Sequence, residues 1–481
     1  MGWWTERITV WSKVVLSGSL FARPASGSMR RIQNIFHLLS GNVAATLLGL
    51  ATMGLVARGL GPRDFGVLAL AISFTRAIER LVSFQSWQPI IRFGAHLDGD
   101  DGAGELKQLL KFGFLLDIAG ALGGCLLALA VIALAGSLMH LSGTDRLLVS
   151  GYALTLLFSL SGMPTAAMRI FGRFRLAAYG QVSGAALRLV ASAGAYALGA
   201  HLTGFFVVWG VTQALSSLTT TVLAFHVLHR HGVTGLFRTR LRGIARRFPD
   251  LWRFTWSANF SLTIAASAQQ LDTLIVGALA GPTAAGLYHI AQRVGRLAQQ
   301  MGAQVQAVVY PELTRLWSTG AIRPFRRTVK EVELLVAIGG VVATIGIALT
   351  AGWLVRMTAG PDFVAAVPLL IVQMVATTLT MSGTVTRSAL LAMGSQRQVL
   401  RVVLLSTLLF HVTAFSIVPF MGAMGANVAH VVRGGAWLVG LALVYRYRMR
   451  RLPSEAMGAP VPVPAPGPRV EAACPMPTVS L

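Results

Sequence analysis

The chain has 481 residues, of which 54% are hydrophobic and 12% charged, and its formal net charge is +24. Soluble domains carry about 25% charged residues, so this composition excludes an ordinary soluble domain and is typical of a protein that crosses a membrane many times. The two cysteines, Cys125 and Cys474, are far apart and lack metal-ligand spacing, so the sequence predicts neither a disulfide framework nor a zinc site.

Twelve apolar runs of about 20 residues follow one another along the chain, and each is long enough to cross roughly 30 Å of hydrocarbon as a helix. A spanning chain must satisfy its own backbone hydrogen bonds, so these runs predict an all-α, polytopic membrane protein. The predicted segments, numbered 1 to 12, lie near 33–57, 65–91, 112–135, 147–168, 178–200, 203–226, 255–279, 284–309, 334–355, 364–392, 400–420 and 425–445.

Basic residues are distributed unequally over the predicted loops. With the N-terminus in the cytoplasm, 30 of the 41 Lys and Arg fall in the N-terminal arm, the even-numbered loops and the C-terminal tail, and four fall in the odd-numbered loops. Because cytoplasmic loops are enriched in Lys and Arg, both termini are expected in the cytoplasm. The scatter of these charges over many loops disfavours nucleic acid as a partner.

The longest basic loop divides the chain into six segments plus six. This loop (229–254) is either an amphipathic helix on the membrane surface or a basic linker with some helix. The predicted parts are a cytoplasmic N-terminal arm (1–31), a six-helix lobe (32–228), the loop itself (229–254), a second six-helix lobe (255–450) and a disordered, Pro-rich cytoplasmic tail (451–481).

A motif in the first lobe returns in the second. LVARGLGPRDFGVLALA (55–71) and IVGALAGPTAAGLYHIA (275–291) align without a gap at a shift of 220 residues. Each copy joins the first two segments of a lobe across a short turn, which favours a true repeat over coincidence. Six segments per half make the repeats parallel, with an axis along the membrane normal. The aligned pairs include Gly61 with Gly281, Pro62 with Pro282, Gly66 with Gly286 and Arg76 with Arg296.

Four of the arginines inside the apolar runs form two polar stripes. Arg76 and Arg80 are one helical turn apart in segment 2 and share a polar stripe, and Arg293 and Arg296 belong to a wider stripe in segment 8. Four such charges facing lipid would cost on the order of 10 kcal/mol. We therefore expect them to face protein or a water-filled cavity, with Arg76 and Arg296 opposite each other.

These features resemble bacterial polysaccharide exporters that flip lipid-linked O-antigen or exopolysaccharide repeat units, as in lipopolysaccharide biosynthesis. The resemblance rests on the G-P-x3-G turn after segment 1 and on DTLIVGALAGPTAAGLYHIAQRV (272–294) at the start of the second half. Multidrug and toxin extrusion exporters and lipid II flippases belong to the same superfamily. The resemblance implies a bacterial inner-membrane protein whose two six-helix lobes surround a central cationic cavity that opens alternately to either side.

The substrate implied by this resemblance is an undecaprenyl-diphosphate-linked oligosaccharide. Arginine forks match phosphate oxygens and stay charged, so Arg76, Arg80, Arg293, Arg296 and Arg188 are the candidate substrate-binding residues. Flipping breaks no bond, so no catalytic residue, cofactor or metal is expected. The expected partners are the lipid-linked substrate, membrane lipids, a polysaccharide polymerase with its export machinery, and a coupling H⁺ or Na⁺.

Two of the three acidic residues inside predicted segments have alternative interpretations. Glu79 either takes part in ion coupling or gating, or forms a structural ion pair with Arg80 or another arginine. Asp272 either binds the coupling ion or gates the cavity, or holds segment 7 against segment 8 through hydrogen bonds. Asp117 has a single interpretation: it lies near the predicted cytoplasmic end of segment 3, close enough to snorkel, and is left out of the candidate site.

Two other classes of protein fit less well. A multidrug antiporter of the same superfamily typically carries a carboxylate in its first helix, which FHLLSGNVAATLLGLATMGLVA (36–57) lacks, and the loop at 92–111 lacks the Gly/Asp/Arg signature of major facilitator permeases. A membrane enzyme of polysaccharide synthesis would need a sizeable outer loop with catalytic groups, whereas the predicted outer loops are short. The sequence therefore favours a flippase, with another transporter as the alternative.

The predicted topology can be tested with an impermeant thiol reagent on intact cells. In a chain whose own cysteines are replaced, we expect Thr144→Cys, in the second outer loop, to be labelled and Thr239→Cys, in the middle loop, to be protected. Labelling of Thr239→Cys without labelling of Thr144→Cys would show that the orientation is reversed.

Overall fold

The computed structural model describes residues 26–84, 86–95, 97, 102–136, 141–256 and 271–451. Most of these residues are helical, and no strand occurs among them. Residues 1–25 of the N-terminal arm, residues 257–270 of segment 7 and the Pro-rich tail beyond Arg451 lie outside the described residues.

The described helices confirm the all-α prediction and are consistent with about twelve crossings. Nine stretches within these residues are long and apolar enough to span a membrane. In chain order the helices are α1 Ser26–Val82, α2 Trp87–Gly94, α3 Ala103–Ala135, α4 Gly143–Ala153, α5 Gly162–Ile170, α6 Phe174–Ala197, α7 Leu202–Arg230, α8 Ile244–Arg247, α9 Asp272–Ser318, α10 Ile322–Thr358, α11 Ala366–Ala392, α12 Gln396–Met421 and α13 Ala423–Arg450. Short 3-10 helices cover Leu154–Phe158, Leu236–Arg238 and Pro361–Phe363.

Helices α1 and α9 are each two helices joined at a kink, and the kinks are equivalent. The backbone of Gly61 has φ 69° and ψ 174°, and that of Gly281 has φ 82° and ψ 173°. A positive φ of this size favours glycine, and the proline that follows each glycine fits the start of a new helix. The same conformation thus recurs at a shift of 220 residues, as the aligned motifs predicted.

The backbones of the two kinked turns are in direct contact with each other. A Cβ atom on Gly66 would lie 1.8 Å from the carbonyl oxygen of Pro282, and one on Gly286 would lie 2.3 Å from that of Pro62. These contacts are reciprocal, as two equivalent elements related by a twofold axis would make them. Small residues allow membrane helices to approach this closely, so each glycine provides the room for the other turn.

The chain divides into two compact units. The first comprises Met1–Arg293, Ala351–Leu369 and Val418–Ala426, and the second comprises Val294–Thr350, Leu370–Ile417 and Asn427–Leu481. An apolar core of the first unit forms around Leu110, Met163 and Ala224, and one of the second forms around Leu313, Phe325 and Leu441. The division into two lobes at the middle loop stays a prediction.

Within the first unit, Arg58 caps the end of α10. Its Nη2 donates to the carbonyl oxygen of Arg356 at 3.0 Å and to that of Met357. The last carbonyl groups of a helix lack intrahelical partners, and a guanidinium also complements the negative end of the helix dipole. Nearby, the rings of Phe65 and Phe363 meet edge to face at 5.6 Å. The sequence assigned Arg58 only to an outer loop and did not predict this cap.

The reciprocal glycine contact predicts a large cost for one added methyl group. We expect Gly66→Ala or Gly286→Ala to destabilise the purified protein by about 1–3 kcal/mol or more, because the new Cβ overlaps a backbone carbonyl that cannot move alone. Thermal unfolding in detergent measures the effect.

The matched control is Gly339→Ala, because this exposed helical glycine has no atom within 4 Å of its would-be Cβ. Alanine there should leave stability unchanged or raise it by up to about 1 kcal/mol. Equal melting temperatures for Gly66→Ala and the control would contradict the packing described.

Candidate functional site

Two membrane segments of the first unit are interrupted. Segment 2 stops being helical after Val82 and resumes at Trp87, while segment 4 passes through the 3-10 helix Leu154–Phe158 and becomes α-helical again at Gly162. Irregular backbone at membrane depth is tolerated only where protein or a water-filled cavity satisfies its polar groups. Hydropathy predicted the two segments without these breaks.

The carboxylate of Asp117, on α3, accepts hydrogen bonds from both of these helix breaks. Its Oδ1 accepts a hydrogen bond from Ser86 Oγ at 2.6 Å, and its Oδ2 accepts one from the backbone N–H of Met163 at 2.7 Å. Asp117 is 6% exposed and Ser86 is fully buried. A Cβ on Gly162 would lie 1.9 Å from Ser86 Oγ, so glycine is required there. The expectation that Asp117 snorkels is wrong, because its carboxylate is bound inside the protein at the start of α5.

Hydroxyl groups of α7 satisfy carbonyl groups of the second interruption. Ser217 Oγ donates to the carbonyl oxygen of Phe158, and Thr221 Oγ1 lies 3.5 Å from that of Leu160. Three elements, α3, α7 and the chain between Phe158 and Gly162, therefore meet around one break. Such broken helices commonly form the binding sites of membrane transporters.

Glu79 lies beside this break. Its carboxylate interacts with the charges of Arg76, about one turn earlier, and of Arg80, the next residue, and with the side chain of Ser159 inside the break. Arg76 and Glu79 are partly buried, and Arg80 is exposed. A role for Glu79 in ion coupling stays a prediction. The structural ion-pair interpretation of Glu79 also stays a prediction.

Arg188 of α6 is bound by neutral groups of α7. Its Nη2 donates to Gln213 Oε1 at 2.7 Å and its Nε to Thr212 Oγ1 at 3.2 Å, while its guanidinium carbon lies 4.9 Å from the ring centre of Trp209. The ion pairs found in the described part of the chain do not include Arg188. The guanidinium is therefore held in one orientation by neutral hydrogen-bond acceptors.

The structure brings two of the predicted arginines together. Tyr152 of α4 interacts electrostatically with Arg188, Arg76 and Glu79. We call these four side chains the polar cluster of the first unit. They come from three helices, α1, α4 and α6, and the cluster contains two guanidinium groups against one carboxylate. Such a set can bind an anion. Nothing in the sequence indicated Tyr152, because an aromatic residue in an apolar run carries no polar signal.

Asp272 lies in a buried network at the start of α9. Its side chain accepts hydrogen bonds from the backbone N–H of Thr273 at 2.8 Å, from Tyr288 Oη at 3.2 Å and from Gln292 Nε2. Tyr288 and Gln292 lie beyond the Gly281 kink, so these bonds connect segment 7 to segment 8. They are the contacts of the structural interpretation of Asp272, and its role in ion coupling stays a prediction.

Arg293 and Arg296 are partly buried on α9. A Cβ on Gly49 would lie 2.6 Å from Arg293 Nη2, so this guanidinium lies against the backbone of segment 1 within the first unit. Arg296 belongs to the second unit, one residue after Gly295, whose backbone packs against Gln373. The placement of Arg76 opposite Arg296 across a cavity stays a prediction.

Comparisons with known proteins agree with this architecture. A family model described as polysaccharide biosynthesis protein matches residues 32–317. The inner membrane protein YghQ of Escherichia coli K12 is 29% identical over 323 residues, which cover 66% of this chain and 90% of that protein.

Solved structures show the same fold at low sequence identity. An inward-facing multidrug resistance MATE transporter of the MOP superfamily superposes with a TM-score of 0.66 at 16% identity, covering 84% of this chain and 94% of its own. The lipid II flippase MurJ, in an inward closed conformation, superposes with a TM-score of 0.64 at 11% identity, covering 87% of this chain and 88% of its own. The fold is thus that of MOP-type transporters and flippases.

The two hydrogen bonds that Asp117 accepts from Ser86 and Met163, which we call the Asp117 clamp, predict that loss of its carboxylate lowers the free energy of unfolding. Asp117→Ala leaves the buried Ser86 hydroxyl and the Met163 N–H without their acceptor, so we expect a loss of about 1–3 kcal/mol for each group. Thermal unfolding of the purified protein measures it. Glu312→Ala, at an exposed acidic residue of α9, is the control and should unfold like the parent protein. A melting temperature for Asp117→Ala equal to that of the control would refute the clamp.

Proposed function

Because this chain belongs to the polysaccharide biosynthesis protein family, we propose that it flips a lipid-linked oligosaccharide across the bacterial inner membrane. The family and the fold are those of flippases and transporters. The E. coli relative is an inner membrane protein, which supports the same location for this chain. Flipping moves a polar head group through hydrocarbon without breaking a bond, so the protein has to supply a polar path and no catalytic group.

The observation that carries the proposal is that the guanidinium of Arg188 is hydrogen-bonded by neutral side chains. A guanidinium held by Thr212 and Gln213 keeps a full positive charge with neutral partners. An intramembrane charge is costly, so it is retained where an anionic ligand or a counter-charge repays the cost. Arg76 lies in the same polar cluster, and two guanidinium groups in one place suit the oxygens of a diphosphate.

The substrate that we propose is an undecaprenyl-diphosphate-linked oligosaccharide repeat unit. Its diphosphate would bind Arg76, Arg80, Arg188, Arg293 and Arg296, and its long lipid tail would stay in the bilayer. Alternating access of a cavity between two six-helix lobes would move the head group, with both termini of the chain in the cytoplasm. Glu79 and Asp272 would bind the coupling H⁺ or Na⁺, or gate the cavity. A polysaccharide polymerase would take up the flipped unit.

Charge replacement at the five arginines tests the proposed substrate chemistry. We expect alanine at Arg76, Arg80, Arg188, Arg293 or Arg296 to reduce surface polysaccharide roughly tenfold or more in the strain that carries this gene, because a charge-assisted hydrogen bond to phosphate is lost. Arg188→Lys keeps the charge without the fork and should retain partial export. Membrane protein abundance is measured beside the polysaccharide.

The control variant is Arg397→Ala, at an exposed arginine at the start of α12, which should leave export unchanged. Normal polysaccharide in all five alanine variants would remove the diphosphate proposal. A loss that follows protein abundance in every variant would instead favour structural ion pairs, since neutralising one partner leaves a buried carboxylate unpaired.

A further inference from the structure

The middle loop is docked on the first unit and is not a free linker. Left-handed turns at Gly235 and Gly243 fold it back after α7. Its buried side chains then pack against the first turns of α3. The apolar cluster comprises Ile244, Phe248 and Leu251 from the loop and Leu109, Phe112 and Leu116 from α3. The helical part is the short α8 with residues 251–256, so the loop is not one amphipathic helix but a basic segment with some helix that packs on α3.

Hydrogen bonds fix the orientation of the docked loop. Lys111 Nζ of α3 donates to the carbonyl oxygens of Phe237 at 2.7 Å and Thr239 at 2.8 Å. Gln108 Nε2 donates to the carbonyl oxygen of Arg240 at 2.9 Å. With one side of the loop bound to α3, the side chains on its other side are turned away from the protein.

That outward side is strongly basic and carries aromatic rings. Phe237, Trp252 and Trp256 are 61%, 45% and 57% exposed, although each also packs one side of its ring on a phenylalanine of the first unit. Asp250 is the one acidic residue between 231 and 256. The exposed arginines are Arg238, Arg240, Arg242, Arg246, Arg247 and Arg253, of which Arg247 also donates to Gln108 Oε1 of α3 at 3.2 Å. We call this side of the loop the basic face.

We infer that the basic face binds the head groups of anionic phospholipids. The loop directly follows α7 and packs on the start of α3, and both helices are long and apolar enough to span a membrane. The basic face therefore lies where hydrocarbon gives way to head groups. Clustered arginines next to a membrane helix attract anionic lipid, and tryptophan side chains favour the same interfacial depth. A nucleic acid in solution would interact with the arginines, but it would not explain aromatic rings at the depth of the lipid head groups.

The test compares phosphatidylglycerol with phosphatidylcholine on the detergent-purified full chain. Lipid binding is counted by native mass spectrometry and followed by the rise in melting temperature during titration. The variant is the triple substitution of Arg238, Arg242 and Arg246 by Gln, which spares the arginines whose backbone or side chain bonds to α3. We expect its apparent affinity for phosphatidylglycerol to fall about tenfold or more, with binding of phosphatidylcholine unchanged.

Two further variants distinguish the effect of the basic face from the effects of lower net charge and of misfolding. Substitution of Arg315, Arg323 and Arg397 by Gln removes three exposed arginines elsewhere and should keep the affinity of the parent protein. Lysine at positions 238, 242 and 246 keeps the charge and should restore binding even if the Gln variant folds less well. An equal fall in the two Gln variants would overturn the inference, and so would equal affinity of the parent protein for both lipids. Binding of a duplex oligonucleotide by this face, without lipid preference, would also overturn it.

Discussion

A helix that breaks inside a membrane leaves N–H and C=O groups that no bulk water satisfies, and the organisation of the first unit follows from this constraint. The breaks in segments 2 and 4 are held together because the carboxylate of Asp117 accepts a hydrogen bond from each. Arg76 and Glu79 precede the first break, and Ser159 lies in the second. The bonds that satisfy the backbone therefore also position the polar cluster.

Two charges of the first unit are bound by neutral groups and not by each other. Asp117 accepts from a hydroxyl and a backbone N–H, and Arg188 donates to an amide and a hydroxyl. In a low dielectric, such bonds fix the position of an ion without cancelling its charge. For Asp117 the helix dipole of α5 adds to this stabilisation. Arg188 is likewise held by an amide and a hydroxyl, and its binding of an anionic ligand belongs to the proposed function.

Hydropathy and the repeated motif predicted the class of fold, the approximate segments and the equivalent kinks at Gly61 and Gly281, because these depend on local composition and on backbone conformation. The helix breaks were not predictable in this way, since LVSFQSWQP (81–89) and LFSLSGMP (157–164) stay apolar on average. Helical period placed Arg76 on a polar face, but only tertiary packing shows that Tyr152 and Arg188 reach it. Asp117 was misinterpreted because distance from the segment end says nothing about what a side chain meets.

The reciprocal contact of Gly66 and Gly286 also has a consequence for biogenesis. The two turns are made 220 residues apart. At roughly 5–20 residues per second, the first turn waits about 10 to 40 seconds in the membrane before its partner leaves the ribosome. During that interval the space beside Gly66 lacks the backbone of the second turn that later occupies it. The first half of the chain must therefore persist as an incomplete protein, and its glycine surface is the place where the second half completes it.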